Sequence, residues 1–320
     1  MKILSILIPV YNAERFLIRC LDSIVTQKAC GTDVEIITIN DGSKDSSLKI
    51  LNEYASRYDN IRVISRENKG IGPTRNELID NVQGEFFWFV DADDYLSEDS
   101  LSTILLLLKG NKYDMLLTSY YWGTEEKGKN VTYAGDYDSA LELTACDIYN
   151  NSVWTRIYRT SIVKNRDIRF NTFGMGEDFD FIFRLIPFVG KVHCIEKSLY
   201  NYIYNPASAI NSTDKSHKFK MSEDSIRCIL HANEYYLNML SEQQKEIMYK
   251  PLSHFILGYI YSIYTQKLPI SYKSECIKKL RENKILPLCP LPLEKKKRLF
   301  AMVLNNKSLC RLSLLVSNRF

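Results

Sequence analysis

Short, continuously apolar runs alternate with stretches of helical spacing through the first 120 residues. The apolar runs cover residues 3–10, 34–39, 61–64, 86–90 and 115–117; the helical patterns cover about 14–27, 46–58, 71–81 and 98–109. Unbroken rather than alternating hydrophobicity predicts strands buried on both faces, as in a parallel sheet flanked by helices. An open α/β sheet of this kind takes its ligands beyond the carboxyl ends of its strands. Chemically useful residues therefore belong just after each apolar run.

They are found there. The first run ends in Pro9-Val10-Tyr11-Asn12 with Glu14 close behind, and the second in Asn40-Asp41-Gly42-Ser43. A loop containing Gly70 and Gly72 follows the third and leads into Arg75-Asn76, and the fourth ends in Asp91-Ala92-Asp93-Asp94. Further on, a polar excursion over 120–150 carries a predicted helix near 138–149, and Val153-Trp154-Thr155-Arg156-Ile157-Tyr158-Arg159 follows. A loop with Gly174 and Gly176 then opens into a helix that starts Glu177-Asp178-Phe179-Asp180. Past about residue 215 helical patterns dominate, and Pro287, Pro290 and Pro292 separate two of those helices.

Composition narrows the class without naming it. With 320 residues, 45% apolar and 25% charged, the chain has material for a real core and for two domains, which excludes disordered, collagen-like and disulfide-scaffold proteins. The net charge of +4 conceals an asymmetry: residues 1–214 carry 23 Lys/Arg against 30 Asp/Glu, and residues 215–320 carry 19 against 8. We therefore expect an acidic domain over 1–214 and a basic, mostly helical region over 215–320. The eight cysteines include no CxxC pair, and they read as buried thiols of a reducing cytoplasm rather than zinc ligands. The N-terminal apolar run is broken by Pro9 and followed by Glu14 and Arg15, so it reads as a strand, not a signal peptide. The longest uncharged stretch, 251–266, falls short of the roughly 20 residues of a spanning helix.

Asp91, Asp93 and Asp94 are the strongest local signal. Three carboxylates in four residues repel one another unless a cation sits among them. Oxygen donors two apart beyond a strand suit Mg²⁺ or Mn²⁺ bridging to phosphate. An EF-hand loop is excluded because Tyr95 and Leu96 stand where it needs an oxygen ligand and a glycine. A haloacid-dehalogenase-type phosphatase is excluded because Tyr95 follows the aspartates and the motif is not on the first strand. Gly70 and Gly72 lack the third glycine of a dinucleotide fingerprint, so a dehydrogenase is excluded as well.

Together these motifs resemble bacterial family 2 glycosyltransferases of the GT-A fold. The resemblance rests on Ser5 to Asn12, Asn40-Asp41-Gly42-Ser43 with Asp45 and Ser46, Asn68-x-Gly70 with Arg75-Asn76, Gly84 leading to Asp91-Ala92-Asp93-Asp94, Trp154 to Arg159, and Glu177-Asp178 with Phe181. It spans roughly 3–205 in the family's order. Two positions depart from the usual pattern: Pro73-Thr74 precede Arg75, and Arg156 stands where lysine is common.

The resemblance implies roles. Pro9, Tyr11 and Glu14 would line the base and ribose pocket, Asp41 would accept from the base edge, and Arg75 would approach base or diphosphate. Asp91 would hold ribose or a metal-bound water, Asp93 would coordinate Mn²⁺ or Mg²⁺, and Asp178 would be the general base. Trp154 and Glu177 would lie on the acceptor side. The implied reaction is inverting sugar transfer from a nucleotide-diphospho-sugar, with uridine the expected base, to a glycan or polyprenyl-diphosphate-linked acceptor. The competing reading is a catalytically degenerate assembly subunit. Capping alone accounts for acidic residues in the first turn of a helix, so the roles of Asp178 and Glu177 rest on the resemblance.

The C-terminal region adds a partner. Leu299, Met302, Val303, Leu309, Leu312 and Leu315 are interspersed with Lys307, Arg311 and Arg319, after the basic run 295–298. Basic amphipathic helices lie on anionic membrane surfaces, which predicts a cytoplasmic protein peripheral at the inner membrane face. The basic residues are too dispersed, and the first domain too acidic, for nucleic-acid binding.

Overall fold

The structure is a computed structural model that describes residues 2–110, 112–124, 126–205, 214–266, 268–288 and 295–316. Cys289, Pro290, Pro292 and Arg319 lie outside the described residues, as do the side chains of Lys295, Lys296 and Leu315. The chain divides into two compact units, Met1–Ser212 and Thr213–Phe320.

The first unit is built on a ten-stranded mixed sheet. Its parallel half comprises β1 (Leu4–Val10), β2 (Val34–Asp41), β3 (Ile61–Arg66) and β4 (Phe86–Phe89), in the order β3-β2-β1-β4. Every residue of β1, β2 and β4 is buried, which is why these runs are continuously apolar. Around them lie α1 (Leu17–Val25), α2 (Ser47–Arg57), α3 (Ile71–Asp80) and α4 (Ser100–Lys109). Leu4, Ile6, Ile8 and Val10 share one apolar cluster with Leu17, Leu21 and Ile24 of α1 and Leu101 and Ile104 of α4. Burying each such side chain contributes about 1.5–3 kcal/mol, so the parallel strands form a stiff base for the loops at their ends.

The other half departs from the simple parallel expectation. The apolar run near 115 is the start of a longer strand that does not pair with β4. After the two-residue β5 (Tyr95–Leu96), β6 (Met115–Gly123) is separated from β4 by β9 (Arg156–Arg159), antiparallel to both. β7 (Gly128–Val131), antiparallel to β6, β8 (Gly135–Tyr137), antiparallel to β10, and the long β10 (Val192–Ile203) complete the sheet, β10 running parallel to β6. The predicted helix near 138–149 is the shorter α5 (Ala140–Ala145), capped by the Ser139 side chain. It is followed by α6 (Thr160–Asn165) and α7 (Glu177–Leu185).

The second unit is mostly helical along its described length. It comprises α8 (Lys215–Met239), α9 (Glu242–Thr265), α10 (Ile270–Glu282), α11 (Lys295–Asn305) and α12 (Lys307–Val316). Ser241 and Gln244 form a reciprocal capping box at the start of α9. Among the described residues, no helix is long and apolar enough to cross a membrane.

Candidate active site

The loops after β1 and β2 are tied to each other by side chain–backbone hydrogen bonds. The Asn12 N–H donates to Ser43 Oγ (3.0 Å) and the Lys44 N–H to Asn12 Oδ1 (2.8 Å). The Glu14 N–H donates to Asp45 Oδ2 (3.0 Å) and the Ser46 N–H to Glu14 Oε2 (2.8 Å). Glu14 is exposed but spends one carboxylate oxygen on this brace. Tyr11 stands at the rim, 54% exposed. Pro9 is buried in β1, past the last pairing with β4 (Leu7 with Phe89), so its missing N–H takes no bond from that strand.

Asp41, at the end of β2, is 4% exposed. Register places Arg66, the last residue of β3, directly beside it, and the two form an ion pair. The N–H groups of Lys69 and Gly70 donate to Asp41 Oδ1 (2.8 Å) and Oδ2 (2.9 Å), and the Asn68 side chain donates to its main-chain oxygen (2.8 Å). A carboxylate has about four acceptor positions. Three are taken by the protein here, so Asp41 fastens the 67–70 loop and keeps one position for another donor. Arg66 also reaches Glu77 (2.6 Å) and Thr74 (2.9 Å), which draws the start of α3 into the same network.

The turn after β4 separates its three aspartates. Asp94 is 1% exposed and accepts from Tyr200 Oη (2.7 Å) and the Ile203 N–H (2.9 Å). Burial pushes its carboxyl well above the usual range. It ties the turn to β10. Tyr200 works on both ends of the turn, because its hydroxyl also accepts from the Asp91 N–H (3.1 Å). Asp93 is half-buried; its main-chain oxygen accepts from Arg19 (3.1 Å) and its Oδ2 from Asn205 Nδ2 (3.2 Å). Tyr200, Arg19 and Asn205 are positioning residues that sequence reading missed. Each is remote in sequence from the turn, and no local pattern marks it.

Arg75 is buried at the centre of the site. Its side chain is 6% exposed and joins three carboxylates from two other elements: Asp178 and Glu177 (3.1 Å) at the head of α7, and Asp91 (3.5 Å) behind β4. The guanidinium also lies over the rings of Phe89 and Phe170. It therefore holds the two sides of the site together. Asp91 and Asp178 keep 26% and 23% of their side-chain surface exposed. One guanidinium among three carboxylates leaves two negative charges in excess, and burial pushes both Asp91 and Asp178 up to about 6 against the pull of Arg75.

Gly176, at φ 88°, starts α7 in the left-handed region that glycine adopts freely. The first-turn N–H groups and dipole then favour the carboxylates of Glu177 and Asp178. Asp180, in the same turn, is fully buried on Arg184 (2.6 Å) and is structural. Asn76 pairs with both backbone groups of Phe170 (2.8 and 2.9 Å). Gly72 meets the backbone next to it: a Cβ there would lie 2.1 Å from the Asn171 oxygen. The Arg75-Asn76 pair thus has divided duties, carboxylates for one and the 170–171 backbone for the other. Pro73 is in the first turn of α3, where a missing N–H costs nothing.

Trp154 sits in the core beside the site. It is 6% exposed, stacked on Tyr200 (ring centroids 4.4 Å) and Tyr202 (5.4 Å) with Tyr120 edge-on (4.8 Å), and its carbonyl accepts from Trp88 Nε1 (2.7 Å). Its large apolar ring packs β9 and β10 together.

Among the described residues, no three His, Cys, Asp or Glu side chains converge on one ion position. A Mg²⁺- or Mn²⁺-type ion nonetheless fits, because such ions use one or two protein carboxylates and fill the remaining positions with water and substrate phosphate. Asp93 Oδ1 accepts no hydrogen bond among the described residues, and it offers the hard oxygen such an ion takes.

Carboxylates at the ends of the parallel strands thus face the acidic start of α7 across Arg75. The glycosyl transferase family 2 model matches residues 5–172. EpsH of Bacillus subtilis strain 168, a glycosyltransferase by name, is 31% identical over 256 residues, covering 76% of this chain and 72% of EpsH. The poly(ribitol-phosphate) beta-N-acetylglucosaminyltransferase TarS of Staphylococcus aureus is 31% identical over 171 residues, and the alignment spans 29% of that protein. A crystal structure of TarS 1–349 with UDP-GlcNAc superposes with a TM-score of 0.76 at 22% identity, covering all of this chain and 92% of that one. The mannosyltransferase PcManGT of Pyrobaculum calidifontis, in complex with GDP-Man and Mn²⁺, superposes with a TM-score of 0.55 at 12% identity, covering 99% of this chain and 87% of that one. The chain belongs to glycosyltransferase family 2. It is a glycosyltransferase with the GT-A fold and a helical C-terminal extension, transferring sugar from a nucleotide sugar.

Proposed function

We propose that this glycosyltransferase moves a hexose or N-acetylhexosamine from a UDP-sugar to a hydroxyl of a glycan or polyprenyl-diphosphate-linked acceptor, with inversion, in bacterial surface polysaccharide synthesis. The observation that carries this reading is Arg75, which joins Asp91 behind β4 to Asp178 at the head of α7. Donor-side and acceptor-side carboxylates thereby share one rigid cluster. Uridine is preferred over guanosine because the TarS likeness is closer than that to the GDP-Man-bound mannosyltransferase.

Each residue then has a task. Pro9, Tyr11 and Glu14 line the base and ribose pocket, and Asp41 offers its remaining acceptor position to the base edge. Asp91 meets the ribose or a metal-bound water. A divalent cation held by Asp93 would supply charge neutralisation for the departing diphosphate. Asp178 takes the proton of the attacking hydroxyl as that oxygen closes on the anomeric carbon, which passes through an oxocarbenium-like state. Glu177 helps hold Arg75 and borders the acceptor. A single displacement with one base inverts the anomeric centre.

Titration calorimetry of UDP with and without Mn²⁺, on native protein and Asp93→Ala, tests the donor site. Metal-dependent binding that is lost in the variant is the expected result. A folded sample that binds no UDP under either condition contradicts the uridine assignment. Failure with GDP and other nucleotides as well leaves the assembly-subunit reading.

The same acceptor class assigns the basic second unit to the inner membrane surface. Residues 295–320 carry seven Lys/Arg and no Asp/Glu. Leu299 and Met302 of α11 (63% and 62% exposed) and Leu309 and Leu312 of α12 (48% and 59%) lie three apart, on the helix faces away from the buried Leu304 and Leu314. Exposed Lys297, Arg298, Lys307 and Arg311 accompany them. Apolar side chains flanked by basic ones suit an anionic lipid interface, at about 1 kcal/mol per basic residue near the surface. Flotation with vesicles containing phosphatidylglycerol, against neutral vesicles, is expected to show salt-sensitive binding to the anionic ones alone.

A further inference from the structure

Arg156 is 2% exposed, and no carboxylate lies within ion-pairing distance of it among the described residues. A buried, uncompensated guanidinium is costly, so what it does there needs a reason. Its NH2 donates to the Asn150 carbonyl (2.8 Å), and its NH1 to the Ser152 carbonyl (3.1 Å) and to Thr155 Oγ1 (3.1 Å). The Thr155 hydroxyl donates to the same Ser152 carbonyl (2.8 Å). Nε has no partner.

The Ser152 carbonyl and the Val153 N–H are two ends of one peptide group. That N–H donates to Asp178 Oδ2 (3.3 Å). Cation, peptide and carboxylate are thus in series: guanidinium to carbonyl oxygen, across the amide plane, and amide N–H to carboxylate. Hydrogen bonds in such a chain polarise one another. A guanidinium and a hydroxyl on the carbonyl oxygen make the N–H at the other end a stronger donor to Asp178.

We propose that Arg156 is a positioning residue for Asp178, acting through the Ser152–Val153 peptide to fix the orientation and charge of the base. The inference rests on the reading of Asp178 as that base. Arg75 already holds Oδ1; the relay holds Oδ2, so both oxygens are oriented from opposite sides. The groups that act on Asp178 are Arg75 of α3, Glu177 of α7, Asp91 after β4, and Arg156 and Tyr158 of β9. Arg75 and Arg156 favour the ionised carboxylate. Burial and the two neighbouring carboxylates oppose it.

The test titrates the Asp178 carboxyl directly, by carbon-13 NMR of aspartate-labelled protein with the resonance assigned through Asp178→Asn. Removing the cation in Arg156→Met is expected to raise the midpoint by about half a unit to one unit, a three- to tenfold loss of ionised base in acid. Arg156→Lys keeps the charge and recovers at least half of the shift. Thr155→Val removes only the second donor to the Ser152 carbonyl and gives a smaller shift of the same sign, which keeps the test open where Arg156→Met does not fold. An unmoved midpoint in folded Arg156→Met, or in Thr155→Val when the former does not fold, overturns the proposal. UDP release from UDP-N-acetylglucosamine, with water as acceptor, is followed in parallel. Its absence in native protein bears on the donor assignment, while the carboxyl titration bears on Arg156, with Thr155→Val, which keeps the Arg156 charge, separating the relay through the peptide from the direct field of the guanidinium.

Discussion

Asp41 and Asp178 each meet one arginine, and the contrast between their surroundings separates scaffold from chemistry. Asp41 has Arg66 beside it by strand register and two backbone N–H groups from the loop it fastens. Its charge is matched locally and its pocket is nearly closed. Asp178 shares Arg75 with Glu177 and Asp91, keeps a quarter of its surface open, and is pushed up to about 6 by burial. A carboxylate whose charge is matched by its own arginine and by backbone N–H groups holds its loop in place and stays ionised. One that is under-compensated and accessible is poised to exchange a proton.

The contrast is broken most forcefully at Asp178. Asp178→Asn is expected to lower kcat by about 10²–10⁴-fold while UDP affinity stays within about threefold of native, read by calorimetry and UDP release on one sample. The same change is expected to leave the unfolding midpoint at pH 7 unreduced, because it removes an ionised group that burial disfavours. Asp41→Asn is expected to do the reverse in stability, costing about 2–4 kcal/mol in denaturant unfolding by uncoupling Arg66 and the 67–70 loop.

The sequence around these two residues differs as well. The parallel strands and the residues at their ends are legible because doubly buried strands leave continuous apolar runs, and the crevice rule says where to look next. The mixed half of the sheet is not. β9 is only four residues long and enters between β4 and β6 from a distant part of the chain, and the mixed polar and apolar sequence of β10 sends no single-period signal. Asp178, Asp93 and Asp41 were visible as residue types in place. That Arg75 faces Glu177 and Asp178, and that Trp154 stacks on Tyr200, depends on contacts across about 100 and 46 positions. No local spacing encodes them.

A pH series sharpens the comparison next. If Asp178 must be ionised, turnover falls as pH drops through about 6 and is roughly tenfold lower at pH 5 than at its plateau. Stability runs the opposite way for these groups. Asp91 and Asp178 bind protons more tightly folded than unfolded, so their contribution is full below about 4, falls as pH rises to about 6, and is flat above. Circular dichroism melts of native protein and Asp178→Asn at pH 4.5 and 7 read the sign: the variant is expected to gain on native as pH rises.

Gly72→Ala makes a smaller and more local break. Its new Cβ meets the Asn171 oxygen, so the 170–171 segment shifts, at about 1–3 kcal/mol of stability and a several-fold loss of kcat through the Asn76–Phe170 pairing. The least effect on soluble turnover is expected for Leu299→Ser with Leu312→Ser. That double variant stays within about twofold of native without lipid while losing most of its binding to anionic vesicles.

The central claim is that Asp178 is needed for the chemical step and not for the donor site. UDP release by Asp178→Asn, across a panel of UDP-sugars with a polyprenyl-diphosphate-linked acceptor, tests it most directly on protein shown to bind UDP. The account predicts at least a hundredfold loss of turnover with binding intact. A variant that binds UDP and turns over within threefold of native contradicts it.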